Sequence, residues 1–260
     1  MSNDCAVDSI VGEPFASKEE AHFFCDSVKP KMGIYADFRH LKAEQREGID
    51  YRIHLRRGAS GVAVMAIHGG DIEPGTSEVA TALAASDHSL YLFEGIKDRG
   101  NRRLHLASTR FNEPMGLRLA RESELVVTVH GCSEKDVLVL VGGLCLPVVS
   151  QMRRSLVQAG FPVNHRDGLR GVHPMNVCNL GKRGQGVQLE LSSGLRKAMF
   201  PDLTRSGRER TTKVFHRFLA ALAAALQESH TWDLMESAEV KRHAETHLLP
   251  STGNRSPDGA

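Results

Sequence analysis

Two stretches decide the fold: Val62-Ala-Val-Met-Ala-Ile-His-Gly-Gly70 and Leu125-Val-Val-Thr-Val-His-Gly131. Each is a short, unbroken apolar run that ends in His-Gly. Runs of this kind predict strands buried on both faces, as in a parallel sheet covered by helices on either side. If the two strands run parallel, His68 and His130 both stand at the carboxyl edge of the sheet. That edge is where open α/β folds place their ligands. The glycines after each histidine allow a sharp turn and a close approach of ligand to backbone.

Working outward, Thr76 reads as the N-cap of a helix, with Glu78 in its first turn and Val79, Leu83 and Ala84 as its apolar stripe. Leu90–Phe93, Leu104–Ala107 and Asp136–Val141 read as further strands. Pro147–Ala159 has helical spacing and stops before Gly160, a good residue for a helix C-terminus. Gly186-Val-Gln-Leu-Glu-Leu-Ser192 alternates, with Val187, Leu189 and Leu191 on one face and Gln188, Glu190 and Ser192 on the other. Arg210–Gln227, rich in Ala and Leu, reads as a closing helix. Strands alternating with helices predict a single α/β domain whose sheet is covered on both faces.

Composition agrees and excludes other classes. A chain of 260 residues with 41% hydrophobic and 25% charged residues is neither wholly disordered nor a coiled coil. Lys plus Arg is 33 against 31 for Asp plus Glu, too balanced for a protein held on nucleic acid chiefly by charge. With Trp232 the single tryptophan and aromatics at 5%, base-stacking platforms are also unsupported, so no nucleic-acid partner is expected. No apolar run approaches the roughly 20 residues that span a bilayer, so no membrane partner is expected either. The opening residues carry acids and lack the apolar core of a secretory signal. The expectation is a cytoplasmic protein, with release or export by another route open.

The five cysteines, Cys5, Cys25, Cys132, Cys145 and Cys178, form no CxxC pair and read as reduced thiols. Cys132 next to His130-Gly131 invites a Cys-His nucleophile, but no third group orients the pair. His243 and His247, four apart, lie in a weakly patterned segment that reads as solvated. Gly69-Gly70 and Gly142-Gly143 lack the Gly-Lys-Ser/Thr ending of a phosphate loop.

Chemistry concentrates around the two strand-end histidines. Glu73 lies five residues after His68, in a glycine-bounded loop that can fold back beside it. Two imidazoles, one carboxylate and an open fourth position make a catalytic zinc site. Glu190 is a carboxylate on a strand otherwise patterned for burial; it is either functional or the partner of a buried arginine, because an unpaired buried acid is costly.

Several segments occur in a characteristic order: Ile67-His-Gly-Gly-Asp-Ile-Glu-Pro-Gly-Thr-Ser-Glu78, Leu104-His-Leu-Ala-Ser-Thr-Arg-Phe-Asn-Glu-Pro114, Val129-His-Gly131, Asn176-Val-Cys-Asn179, and Gly186–Ser192 followed by Gly194-Leu-Arg196. Together they resemble the phage-type poly-γ-glutamate hydrolases and their bacterial homologues, some of which carry a phage-related replication-protein label. The resemblance runs from Ala36, through Gly48-Ile-Asp-Tyr-Arg52, to near Leu226. It implies a metallocarboxypeptidase-like fold: one α/β domain with a mixed, mostly parallel sheet and helices on both faces. It implies a catalytic domain over 36–229; the polar, weakly patterned ends read as an N-terminal segment over 1–35 and a flexible tail over 230–260.

The same resemblance implies one Zn2+ per chain, held by His68, Glu73 and His130, with Glu190 as general base and acid. Arg196 is its candidate for holding a substrate carboxylate, with Arg110 a second. Asn112 stands where the family pattern has Asp. The implied activity is zinc-dependent hydrolysis of γ-glutamyl amide bonds in an anionic γ-glutamyl polymer. The alternatives are a related zinc amidase or carboxypeptidase acting on a small acyl-amino acid or peptide, and a nucleic-acid-binding replication accessory protein. Arg102, Arg103, Arg205, Arg208, Arg210 and Lys213 would draw a polyanion locally, or form a solvated surface of mixed charge.

Overall fold

Side-chain alternation in the central strands builds two cores, one on each face of a sheet. The computed structural model describes residues 34–164 and 171–227. The regions predicted as N-terminal segment and tail, with Cys5, Cys25, Trp232, His243 and His247, lie outside the described residues apart from Ile34 and Tyr35. The strands are β1 (Tyr51–Arg56), β2 (Val62–Gly70), β3 (Ser89–Gly95), β4 (Leu125–Cys132), β5 (Val139–Gly142), β6 (Val163–Asn164) and β7 (Val187–Ser192). The helices are α1 (Phe38–Glu44), α2 (Thr76–Ala84), α3 (Pro114–Glu122), α4 (Leu146–Gln158), α5 (Ser193–Met199), α6 (Arg205–Arg208) and α7 (213–227).

The sheet order is β1-β3-β2-β4-β7-β5-β6. β3, β2, β4 and β7 run parallel, β1 and β5 pair antiparallel to them, and β6 runs parallel to β5. The expected α/β domain with a mixed, mostly parallel sheet is the observed one. Val64, Ala66, Val127, Val129 and Leu189 face one core, packed by α2, α4, α5 and α7 through residues such as Val79, Met152, Met199 and Phe218. Met65, Ile67, Phe93 and Val126 face the other, packed by Phe38 and Leu41 of α1 and Leu119 of α3.

Four local readings need correction. Leu104–Ala107 is not a strand: Asn101–Leu104 forms a 3-10 turn, and Leu104 and Leu106 are buried in the second core without strand partners. Thr76 is the first residue of α2 and not its cap; the cap is Gly75, at φ +102°, and the Thr76 hydroxyl donates instead to the Glu73 carbonyl at 2.9 Å. The strand predicted from Asp136 begins at Val139, and the closing helix begins at 213 and not at Arg210. α1, β1, α3 and the two-residue β6 are elements that the pattern did not single out.

Candidate metal centre

His68 reaches the site through a defect in β2. Strict alternation would send its side chain to the face of Val64 and Ala66. Against β3, however, Ala66 pairs with Leu92 while Gly69 pairs with Glu94, so β2 carries one extra residue. Such a bulge turns two successive side chains to the same face. Ile67 packs in the second core, and His68 joins it there, its ring nitrogen Nε2 lying 2.6 Å from the Leu106 carbonyl.

A carbonyl only accepts, so His68 Nε2 carries the hydrogen and Nδ1 presents a lone pair. That Nδ1 lies 3.1 Å from Nδ1 of His130 and 3.3 Å from Oε1 of Glu73. Glu73 is returned to the edge by the loop after β2, where its own N–H donates to the His68 carbonyl at 3.0 Å. Its Oε2 accepts the Gly131 N–H at 2.7 Å and lies 3.9 Å from His130 Nδ1.

The three side chains are buried, and one ligand atom from each falls within 4.8 Å of the others. Two imidazoles and a carboxylate converge here with at most one shared proton between the two Nδ1 atoms. Ligand atoms of a tetrahedral zinc with bonds of about 2.1 Å stand roughly 3.4 Å apart, so the observed spacings of 3.1, 3.3 and 3.9 Å are close to what such an ion needs. Fixing one ring nitrogen of a histidine on a backbone carbonyl so that the other faces a metal is the usual outer-shell arrangement. His130 Nε2 is buried with no partner among the described residues.

Electrostatics match this reading. Burial alone would raise the Glu73 carboxyl, but the adjacent His68, then His130 and His105, hold it down to about 2. Burial, with His68 as neighbour, pushes the imidazole of His130 down to about 3, so it is neutral at pH 7 and can offer a lone pair.

Glu190 sits next to His130 in register on β7 and is buried. Burial first, then the negative charge of Glu73, raises its carboxyl to about 8, and Gln188 Nε2 donates to its Oε1 at 2.8 Å. Arg196, on α5, is buried beside Gly131, and three of its nitrogens donate to the carbonyls of Leu191, Pro74 and Cys132. It therefore ties the Glu73 loop to the ends of β4 and β7. Of the five guanidinium hydrogens, one on each Nη remains for another partner. Gly131 is required at this junction, because a Cβ there would lie 2.8 Å from Arg196 Cζ and 3.1 Å from Glu73 Cβ.

The predicted His68, Glu73 and His130 are thus brought together, with Glu190 in the neighbouring strand and Arg196 against the loop. Arg110 is exposed on the turn that follows Leu106, apart from this cluster's hydrogen bonds. Asn112 accepts the Phe38 N–H at 2.8 Å, which anchors α1. Arg205 and Arg208 are not free for a polyanion: both pair with Asp71, and Arg208 also pairs with Glu78. Cys132 is half-buried, and burial raises its thiol, which argues against a thiolate nucleophile.

One site residue was missed. The His105 ring stacks on His68 at 3.7 Å between centroids, and its Nε2 lies 3.6 Å from Glu73 Oε1. The available signal was its position in Leu104-His-Leu106, a polar residue between two leucines that turn out to be buried.

This fold and site define a class: an α/β domain with a buried His/Glu/His cluster that could hold a metal ion, and a buried carboxylic acid beside it at the carboxyl edge of its sheet. Residues 35–221 match the model of the poly-gamma-glutamate hydrolase family, and the chain belongs to that family. UPF0714 protein YndL of Bacillus subtilis (strain 168) is 37% identical over 201 residues, covering 76% of this chain and 79% of YndL. The structure of a bacteriophage poly-gamma-glutamate hydrolase superposes with a TM-score of 0.74 at 30% identity, covering 76% of this chain and 98% of that one. A zinc-free apo form of YndL superposes at 0.72 and 37%, with the same coverages. Family membership supports a hydrolase and hence an enzyme. Among the described residues no helix is long and apolar enough to cross a membrane.

Proposed function

We propose that the protein is a zinc-dependent hydrolase that cleaves γ-glutamyl amide bonds of poly-γ-glutamate, with zinc held by His68, Glu73 and His130. The observation that carries the metal assignment is the 3.1 Å approach of two imidazole Nδ1 atoms beside the Glu73 carboxylate. The amide specificity is supported by the family and by the solved bacteriophage hydrolase to which the chain is similar.

A zinc ion in this site supplies Lewis acidity to a carbonyl oxygen and to water. Glu190 takes a proton from the attacking water and returns it to the leaving amine nitrogen, the two halves of general base and acid catalysis. Burial favours the neutral carboxyl and so suits Glu190 to hold the proton between the two halves. His68, with its Nε2 on the Leu106 carbonyl, and His130 would offer ring nitrogens to the metal, and Arg196 holds the Glu73 loop in place. The remaining N–H groups of Arg196 are suited to one α-carboxylate of the polymer.

The test is polymer length by size-exclusion chromatography after incubation with poly-γ-glutamate, with and without a zinc chelator, and with Glu190→Gln. Shortening that chelator and variant both abolish is expected. An intact polymer with one zinc bound per chain would move the assignment to a small-substrate amidase. Absence of bound metal would remove the site itself.

A further inference from the structure

Two buried amides stand behind Glu190 without a role so far. Asn176, which caps the 3-10 turn Val177–Asn179, accepts the Cys178 backbone N–H on Oδ1 at 3.1 Å. Its Nδ2 donates to Gln188 Oε1 at 2.8 Å, and Gln188 Nε2 donates to Glu190 Oε1 at 2.8 Å. All three side chains are at least 95% buried. The Gln188 side chain is also packed against Gly171, where an added Cβ would lie 2.7 Å from Gln188 Cβ.

The direction of this chain is set at its far end. Amide oxygen and nitrogen are hard to tell apart by shape, but a backbone N–H can only donate. Cys178 therefore fixes Asn176 Oδ1, Asn176 Nδ2 then fixes Gln188 Oε1, and Gln188 is left with a donor facing Glu190. The reverse polarity would put an amide oxygen against a carboxylate oxygen and demand a permanent proton between them.

We propose that Asn176 and Gln188 are positioning residues that aim the catalytic carboxyl, their one-way hydrogen-bond chain occupying Glu190 Oε1 and leaving Oε2 as the oxygen that takes and returns the proton. The proposal rests on the reading of Glu190 as general base. In balance, the water oxygen bonds to the amide carbon and gives its proton to Oε2; the C–N bond breaks and Oε2 returns that proton to the amine. Glu73, Arg196, Cys132 and the register neighbour His130 also face Glu190, and the variants below leave them unchanged.

The variants are Gln188→Leu, which removes the donor, and Asn176→Ser, which keeps a neutral cap for the Cys178 N–H but is too short to reach Gln188. With the zinc-loaded full chain and poly-γ-glutamate, each is expected to lower kcat at least about tenfold with KM nearly unchanged, and to move the acid limb of kcat/KM up by about one pH unit, the size of a lost hydrogen bond to a carboxylate. A side chain that merely fills space would leave that limb where it is. In parallel, the 13C carboxyl resonance of Glu190, identified by its loss in Glu190→Gln, is titrated in the zinc-loaded full chain. Its midpoint is expected to rise in both variants. If wild-type protein leaves the polymer intact, the proposed function falls while this titration still decides the chain. An unmoved midpoint in either variant overturns the proposal.

Discussion

His68 Nδ1 and His130 Nδ1 meet at 3.1 Å although the residues are 62 apart in sequence. The approach follows from two parallel strands, β2 and β4, paired side by side, and from the bulge that turns His68 onto the face of His130. Two lone-pair donors beside a carboxylate are stable together when a cation joins them, and the first prediction follows from that. Zinc at 100 times its Kd is expected to stabilise the protein by about 2.7 kcal/mol. For a chain of this size that is a rise of roughly 5–10 °C in Tm. Thermal melts with added zinc check it, and Glu73→Ala should abolish the rise.

Glu190→Gln keeps the shape of the side chain and removes its proton chemistry. Loss of a general acid-base group is expected to cost about 10²–10⁴-fold in kcat. Zinc bound per chain, measured by atomic emission, should be unchanged. Loss of bound zinc in this variant would instead make Glu190 a ligand.

The raised Glu190 carboxyl also predicts a pH dependence of stability in chelator-treated protein. Its folded value of about 8 lies above its ordinary 4.5, so between these the native state holds a proton that the unfolded state has lost. Its contribution is complete below about pH 4.5 and is lost as pH rises toward 8. Urea midpoints of wild type relative to Glu190→Gln are therefore expected to fall from pH 5 to pH 8. His130 and His105 act oppositely: burial lowers both from 6.5 to about 3, so stability falls as pH drops through that window.

Gly131→Ala is expected to destabilise by about 1–3 kcal/mol, the cost of overpacking, since its Cβ would press on Arg196 Cζ at 2.8 Å. Because the Gly131 N–H also holds Glu73 Oε2, zinc affinity should fall with it. Urea unfolding and a competitive zinc titration read the two effects separately.

Arg208→Met breaks a cluster that clamps the loop carrying Glu73. The guanidinium is buried and donates to Asp71 and Glu78 at 2.8 Å each, while the two carboxylates are partly exposed. A fully buried pair would cost more, and with water reaching the acids a loss of about 2 kcal/mol is expected. Chemical denaturation of the variant checks the magnitude.

Much of this was legible in one dimension. Apolar runs ending in His-Gly marked β2 and β4, and a parallel pairing of such strands leaves their ends at one edge for reasons of chain geometry alone. Alternation on β7 singled out Glu190 because a carboxylate among buried positions must be paired or functional. Leu104–Ala107 was misread because its apolar residues are buried by packing under the sheet, without ladder hydrogen bonds. His105 was passed over for the same cause, since nothing local says that this irregular segment folds against His68.

The amino-acid sequence by itself determined the central strands β2, β4 and β7, the α/β class and the ligand candidates, because burial period and strand-end chemistry are local properties. Only the tertiary structure decided the rest. The bulge between Ala66 and Gly69 is a matter of register against β3, and it alone puts His68 on the side of His130. Arg196 and Arg208 look equally available in sequence, yet both are committed to the loop that carries Glu73, about 120–140 residues away, because buried guanidinium groups must find acceptors wherever the fold brings them.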